Sequence, residues 1–418
     1  MMSSDELVPA PDTLDVAAPA PFRRRHHATV NALWIGIQFQ DAALMAIIVP
    51  AIVLLVDPRH HTSTLALLAT IAAAVSTLVP PIAGMISDHG RRRGHDRRVE
   101  TAWALGVDVL ALLGMAVANS ATTLAIGVAA AALAISVAST VYQALLPEVV
   151  PRHAWGISSG VRGALTLLGT IVGLLVAALL HPKWALVATA TIVALGAITL
   201  AAIPDKPIDN QLEPEHPDIP RDRHDLLVTM VARGLLVLGM GLLNTYILYF
   251  FHDVMHVVNA PVRTGITATG ALGGAILSSI LAGVISDRVD RRYVVVASGI
   301  PMTLAGLGFA FAPTPSALVW YAALFGFGFG GVFSVGWALA LESIPEMGDV
   351  GRDLGTWSTL SGLPAIAAPA LGAFLIARGA TPTDGYRLMF AVASLCFAAG
   401  SLSVLLVRKR KRPAASAS

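Results

Sequence analysis

Two aspartates lie in the middle of long apolar runs, where an ionisable side chain is uncommon. Asp41 follows Gln38 and Gln40 in the first run, and Asp108 lies in the third. A charge at the centre of a bilayer costs roughly 2.5–3.5 kcal/mol on insertion scales, so such a group usually faces a cavity or a partner. A carboxyl that alternates between neutral and charged forms can take up a proton on one side of a membrane and release it on the other. The sequence therefore predicts proton coupling through Asp41, with Asp108 as the second candidate.

A structural role is the alternative for both aspartates. Each side chain can instead hydrogen-bond to a neighbouring helix, and this alternative is favoured for Asp108 because its run has fewer polar residues. Two arginines also lie within apolar runs. Arg162 is predicted to pair with an acid such as Asp108 or to bind an anionic group of a substrate, and Arg233 to close an inner gate. Extension of both side chains to the membrane interface is the alternative.

An arginine-rich signature occurs twice, each time directly after an apolar run. The copies are Gly84-Met-Ile-Ser-Asp88-His-Gly-Arg91-Arg92-Arg93 and Gly283-Val-Ile-Ser-Asp287-Arg288-Val-Asp290-Arg291-Arg292, and their glycines lie 199 residues apart. A second pair of motifs, Glu148-Val-Val-Pro151 and Glu342-Ser-Ile-Pro345, precedes the fifth run of each half. We expect these two glutamates at the inner gate. Recurrence at nearly half the chain length indicates a duplicated membrane unit.

Composition supports a protein that lies in lipid. Hydrophobic residues make up 55% of the chain and charged residues 13%, and the mean hydropathy is +0.71. So little polar surface cannot cover a soluble globule of this length. The single cysteine, Cys396, cannot form an intramolecular disulfide, and no cysteine or histidine spacing predicts a metal site or a cofactor.

Twelve apolar stretches are long enough to span a bilayer, which requires about 20 residues each. They lie near 30–56, 64–87, 99–118, 121–145, 157–180, 183–203, 227–252, 263–286, 293–313, 316–341, 355–378 and 386–407. Because lipid offers the backbone no hydrogen-bond partner and the stretches do not alternate with period two, we expect an all-α integral membrane protein. The predicted architecture is two six-helix bundles.

The distribution of charged residues predicts the orientation of the chain in the membrane and the bounds of its domains. Basic residues cluster at 23–25, 91–98 and 408–412, which predicts that both termini are cytoplasmic, without a cleaved signal peptide. We expect a tail over 1–29, a bundle over 30–203, a cytoplasmic linker over the proline-rich and acidic 204–226, a second bundle over 227–407 and a basic tail over 408–418.

At this point the chain resembles the major facilitator superfamily over nearly all of its membrane-spanning length. The first signature is similar to the superfamily's Gly-x-x-x-Asp-(x)-(x)-Gly-Arg-Arg motif through Gly84, Asp88, Gly90, Arg91 and Arg92, although its second glycine comes one place early. The second copy keeps Gly283, Asp287, Arg291 and Arg292 but has Asp290 in place of the second glycine. The resemblance implies the major facilitator fold and a conformational latch at these residues. The alternative for the arginines is that they only enforce the topology.

A narrower resemblance is to the glycoside-cation symporter and sucrose-carrier branch. It rests on Ser87-Asp88 with Arg91-Arg92-Arg93, on Arg233 followed by Asn244-Thr-Tyr246 and Tyr249, and on Gly351-Arg352-Asp353-Leu354-Gly355. The sodium-coupled members of that branch use acidic residues in their second helix, and residues 64–87 have none before the loop. The resemblance therefore does not imply sodium coupling by that route.

Spans 1 and 7 line the central cavity in the superfamily, so their polar residues are expected to share a site. The resemblance implies that this site binds a hydroxyl-rich solute through amides and phenols, with tryptophans as stacking platforms. The residues predicted to bind the solute are Trp34, Gln38, Gln40, Arg162, Asn244, Tyr246, Tyr249, Trp337 and Trp357.

The sequence thus predicts a multi-pass plasma-membrane transporter that couples protons to the movement of a small polar solute, conceivably a sugar or glycoside. Proton-antiport efflux of a drug or secreted metabolite is the first alternative, and a membrane enzyme or receptor is the second. ATP-driven transport is disfavoured because the glycine-rich run 325–331 lacks the Gly-Lys-Ser/Thr ending of a phosphate loop. We expect no enzymatic activity and no nucleic-acid partner, and a monomer is the usual state in the family.

Overall fold

The computed structural model describes residues 24–150, 155–203, 223–286, 289–312, 314–343 and 359–408, and the regular structure in these ranges is helical. An all-α fold is what the sequence predicts. The reason is physical: long runs rich in alanine and leucine satisfy their own backbone hydrogen bonds only as helices when lipid surrounds them.

The described residues of the first half form six helices. Helix α1 comprises Arg24–Asn31, Leu33–Ala43 and Val49–Val56 with the π-helical turn Leu44–Ile48; the others are α2 His61–Arg92, α3 Arg97–Ala116, α4 Ala121–Val149, α5 Trp155–Leu179 and α6 Pro182–Ile198.

The described residues of the second half also form six helices. They are α7 Arg223–Tyr249, which continues into the π-helical turn Phe250–Val254, α8 Ala260–Ser286, α9 Arg291–Phe311, α10 Pro315–Ser343, α11 Pro364–Arg378 and α12 Pro382–Ser403.

Eleven helices in the described ranges are long and apolar enough to cross a membrane. Helix α8 coincides with the eighth predicted span but is not among these eleven. The count of twelve spans and the cytoplasmic position of the termini therefore stay predictions.

Glycines let several helices approach one another closely. A methyl group on Gly173 of α5 would collide with the Phe39 backbone of α1, and a methyl group on Gly326 of α10 would collide with the Ala271 backbone of α8. Small residues at such crossings bring two backbones together, which is how membrane helices gain packing energy without a hydrophobic driving force.

The two ends of the molecule can be distinguished by their contacts. At one end, which we call the signature end, Arg98 donates to the Ile203 carbonyl (2.9 Å) and Arg292 donates to the Val407 carbonyl (2.6 Å). The opposite end, which we call the far end, contains the turn at Asp57 and the π-helical turn that follows α7. Between these ends, the halves meet where α2 packs against α11 and α5 against α8.

Candidate functional site

A cavity of about 320 Å³ lies between the two halves. Residues from α1, α2 and α5 line it on one side, and residues from α7 line it on the other. The lining residues are Asp41, Ala42, Met45, Ala46, Ala69, Leu174, Asn244 and Thr245. A carboxyl from one half thus faces an amide and a hydroxyl from the other, so a solute bound here would contact both halves of the molecule.

Asp41 is exposed to this cavity although it lies in the middle of α1. The Gln38 Nε2 atom donates to its Oδ2 atom over 3.4 Å, and no ion pair among the described residues includes Asp41. The π-helical turn Leu44–Ile48 starts three residues later. Such turns insert one residue into a helix and are frequent at functional sites, because they change which side chains face inward.

Gln40 and Asp108 form a separate, buried pair beside the cavity. The Gln40 Nε2 atom donates to Asp108 Oδ1 over 2.9 Å, Gln40 is 1% exposed and Asp108 is 0% exposed. Because α1 turns by about 100° per residue, Gln40 faces α3 while its neighbour Asp41 faces the cavity. The structure therefore places only one of the two predicted proton carriers at the cavity surface.

Trp34 and Arg162 contact each other. The Arg162 guanidinium carbon lies 3.9 Å from the centroid of the Trp34 ring, and Trp34 also packs against Tyr142 with a centroid distance of 5.8 Å. A guanidinium over an indole face is a favourable cation–π arrangement. Arg162 is half-buried, and Trp34 is buried at 5% exposure. This contact joins α1 and α5 within the first half.

The aromatic residues predicted on α7 do not line the cavity. Tyr246 and Tyr249 are fully buried, and their hydroxyl groups donate to the carbonyl oxygens of Pro369 (2.5 Å) and Pro50 (3.2 Å). The bond from Tyr249 to Pro50 joins the two halves. Asn244 is the predicted polar residue on α7 that reaches the cavity.

The first signature forms an ion-pair network at the signature end. Arg97 at the start of α3 pairs with Asp88 on α2, and its Nη1 atom donates to Glu148 Oε1 on α4 over 2.7 Å. Arg91 also pairs with Glu148, with an Nη2 to Oε2 distance of 3.2 Å. Arg92 is exposed. The arginine that binds the signature aspartate is thus Arg97, a residue that the motif comparison did not select.

The start of α3 has a matching counterpart at the start of α9. Asp96 accepts from the Arg98 backbone N–H and pairs with the Arg98 guanidinium, and Asp290 does the same with Arg292. These aspartates are 194 residues apart, the same separation as the two gate glutamates, whereas the signature glycines are 199 apart. The segment from the signature glycine to this aspartate is therefore five residues longer in the first half than in the second (199 − 194). In this alignment of the two halves, Arg291 corresponds to Arg97 rather than to Arg92. The Asp-Arg-Arg triplet in both halves was the sequence signal that could have revealed this register.

Some residues predicted to belong to the site lie wholly or partly outside the described structure. Asp287 and Trp357 lie outside the described residues. The backbones of Gly283, Trp337 and Glu342 are helical, but the side chains of Trp337 and Glu342 also lie outside the description. Gly84 is helical and lies near Thr140 on α4.

Arg233 lies beside a second cavity of about 190 Å³. This cavity is built from one half alone, by α7, α9, α10 and Val404 after α12. Its lining is mainly apolar and includes Met240, Met302, Phe329 and Phe333. The two cavities therefore differ in both polarity and position.

The far end contains a polar cluster that sequence reasoning missed. Asp253 Oδ2 lies 3.0 Å from His61 Nε2 and accepts from the Tyr386 hydroxyl over 2.9 Å, while its Oδ1 atom lies 2.7 Å from His252 Nδ1. His61 belongs to the first half and the other three to the second. Next to this cluster, the Thr64 hydroxyl donates to Asp57 over 2.7 Å, which lowers the pKa of that carboxyl. No group of three metal-binding side chains occurs among the described residues.

Comparison with known proteins agrees with this architecture. The sequence profile described as the Major Facilitator Superfamily matches residues 34–263 and 229–418, which together span most of the chain. The inner membrane metabolite transport protein YgcS of Escherichia coli (strain K12) is 32% identical over 135 residues, which is 32% of this chain and 29% of that protein. The match thus spans less than a third of that relative's length.

Two solved structures share the fold over nearly their whole length. The nucleoside transporter NupG superposes with a TM-score of 0.71 at 13% identity and covers 91% of this chain and 98% of its own. A D-xylose-proton symporter superposes with a TM-score of 0.70 at 14% identity and covers 90% of this chain and 96% of its own. At such identities the likeness concerns the fold alone.

Proposed function

This chain belongs to the Major Facilitator Superfamily and is a multi-pass membrane transporter, and we propose that it moves a small polar organic solute across the plasma membrane by proton-coupled alternating access. The observation that carries this proposal is the cavity between the halves, where Asp41 faces Asn244 and Thr245. The exposure of Asp41 in that cavity supports the predicted proton coupling through this residue.

The lining supports a polar solute of sugar size. A carboxyl, an amide and a hydroxyl provide both donors and acceptors, and the remaining lining is made of alanine, leucine and methionine. The volume of about 320 Å³ lies at the lower end of small-molecule sites, roughly 300–1,000 Å³. The described relatives include carriers of a nucleoside and of a pentose, and we extend that chemical class of hydroxyl-rich solutes to this chain.

Proton coupling follows from what the cavity must do. When the halves close around it, water leaves, and an unpaired carboxylate becomes unfavourable in the dry site. A protonated Asp41 removes this penalty, so protonation and solute binding together favour closure. Release of the proton on the other side makes the cycle directional.

Efflux is the second candidate function, and the apolar cavity beside Arg233 is the observation that favours it. Methionine and phenylalanine side chains there suit a lipophilic cargo. That cavity lies within one half, however, whereas a site for alternating access has to contact both halves. We therefore place the transported solute in the cavity that contains Asp41.

The test is substrate-induced pH change in vesicles that contain the purified protein, with sugars, glycosides and nucleosides screened against lipophilic cations and antibiotics. Proton uptake with a polar solute is expected, and Asp41→Asn is expected to abolish it, because a carboxamide cannot release a proton. The variant should still exchange labelled solute for unlabelled solute across the membrane. The screen also tests the narrower resemblance to the glycoside-cation symporter branch.

The matched control is Asp57→Asn, which removes a carboxyl at the far end without touching the cavity. It should leave coupling intact. Full proton-driven transport by a folded Asp41→Asn variant would refute the assigned coupling residue, and proton release on addition of a drug would establish efflux instead.

A further inference from the structure

Two buried oxygen atoms beside the cavity have no hydrogen-bond partner among the residues that the structure describes. They are Gln40 Oε1 and Asp108 Oδ2, and they belong to the two groups that already share the bond from Gln40 Nε2 to Asp108 Oδ1. Both oxygens act only as acceptors when Asp108 is ionised. Two adjacent groups, each with one unsatisfied acceptor that is buried from solvent, are a costly arrangement.

One proton satisfies both atoms. A carboxylic acid and a primary amide form a closed pair in which the amide N–H donates to the acid carbonyl oxygen and the acid O–H donates to the amide oxygen. The first of these bonds is present over 2.9 Å. We infer that Asp108 is permanently a neutral carboxylic acid whose Oδ2–H donates to Gln40 Oε1, and that it is a positioning residue for Asp41.

The surroundings of Asp108 favour the neutral form. None of the ion pairs among the described residues includes it, and it is 0% exposed. Asp41, on the residue after Gln40, adds a carboxyl of the same sign whenever it is ionised. An ionised Asp108 would then face a like charge and an unpaired amide oxygen in a fully buried site.

The closed pair fixes α1 to α3 at the residue that precedes Asp41. With Gln40 held by two bonds, rotation of α1 about its axis is restricted, and Asp41 stays directed into the cavity. The role of Asp41 in this inference rests on the proposed function, whereas the protonation state of Asp108 does not. The two aspartates then divide their tasks: Asp41 exchanges its proton with the cavity, and Asp108 keeps its proton.

Infrared spectroscopy of the protein in vesicles tests the protonation state directly. The carbonyl stretch of a protonated carboxylic acid lies above the amide and carboxylate bands. We expect one such band that is lost in Asp108→Asn, persists in Asp41→Asn and Asp57→Asn, and stays constant from about pH 5 to about pH 9. Absence of an Asp108-dependent band, or its disappearance within this range, would overturn the inference.

Transport assays distinguish a positioning role of Asp108 from a proton-carrying role. Asparagine at position 108 can make both bonds to Gln40, so Asp108→Asn should keep proton-coupled transport within about twofold, whereas Asp108→Leu leaves the amide unpaired and should raise the KM and lower the rate. Loss of coupling in a folded Asp108→Asn variant would overturn the inference. If Asp41→Asn alone keeps full coupling, the proposed function fails while the infrared band still supports the pair.

Discussion

The polar contacts at the two ends of the molecule connect different parts. Among the described residues at the signature end they stay within one half: Arg97 joins α2, α3 and α4, and Arg98 joins α3 to the end of α6. At the far end, besides local bonds such as that from Thr64 to Asp57, contacts join the halves through His61 with Asp253 and through Tyr249 with Pro50. The contacts of Asp96 and Arg98 recur in the second half at Asp290 and Arg292, whereas the far-end cluster takes one residue from the first half and three from the second.

This difference distinguishes contacts that hold each half together from contacts that hold the two halves against each other at the far end. Contacts that stay within a half survive any rotation of one half against the other, so they can be strong without hindering transport. Under the proposed alternating access, contacts that join the halves at the end that opens have to break in every cycle. The far-end bonds are therefore expected to set the balance between conformations, and the signature-end bonds to set the stability of each half.

The largest effect is expected at Arg97. Its guanidinium is 8% exposed, and Arg97→Met leaves Glu148 without that partner, which should lower the free energy of unfolding by about 3 kcal/mol. The estimate lies at the lower end for buried pairs because Asp88 is 63% exposed and remains hydrated. Thermal unfolding in detergent measures the loss.

Arg92→Met is the matched control, because Arg92 is exposed in the same turn. It should change the stability by less than about 0.5 kcal/mol. Equal losses in the two variants would show that the arginines act only through topology and not through the ion-pair network.

A smaller effect is expected at the junction between the halves. Asp253→Asn removes the carboxylate that His61 and Tyr386 share, and bonds to a charged group contribute about 1.5–3 kcal/mol. The far end should open more often, while the thermal stability of each half changes little. Spin labels at Arg59 and Val258, in a background that carries Cys396→Ser, measure this opening as a longer distance.

Tyr386→Phe is the weaker companion variant because it removes one neutral donor and keeps the carboxylate. It should shift the same distance distribution in the same direction but by less. An unchanged distribution in Asp253→Asn would mean that the cluster does not hold the halves together.

The sequence predicts the helical fold and the position of Asp41 well, since both depend on local patterns. A long apolar run specifies a membrane helix by itself, and a lone carboxyl within it indicates a cavity. Tyr246 and Tyr249 show the limit. Their place on span 7, which lines the cavity in the superfamily, implied a shared polar surface with Asn244, but their hydroxyls bond to the carbonyls of Pro369 and Pro50 in neighbouring helices.

Two further contacts could not be predicted from a motif. His61 and Asp253 lie far apart in the chain, and only the packing of α2 beside α7 brings them together. The pairing of Arg97 with Asp88 depends on the length of the turn between α2 and α3, and a motif aligned on its glycines misassigns it. Local patterns specify elements, whereas long-range pairs follow from how those elements dock.

The smallest effect concerns the repeated turns at Asp96 and Asp290. Each caps the helix that follows it, so Asp96→Ala and Asp290→Ala should each cost about 1 kcal/mol. The bond from the Arg98 guanidinium lowers the pKa of Asp96. Because the folded pKa lies below the unfolded one, this contribution is fully present above about pH 4 and disappears as the pH falls through the folded pKa. The stability difference between wild type and Asp96→Ala should therefore be larger at neutral pH than in acid. A much larger cost for one alanine variant than for the other would mean that the two turns are not equivalent, and that the repeat at the signature end does not extend to their energetics.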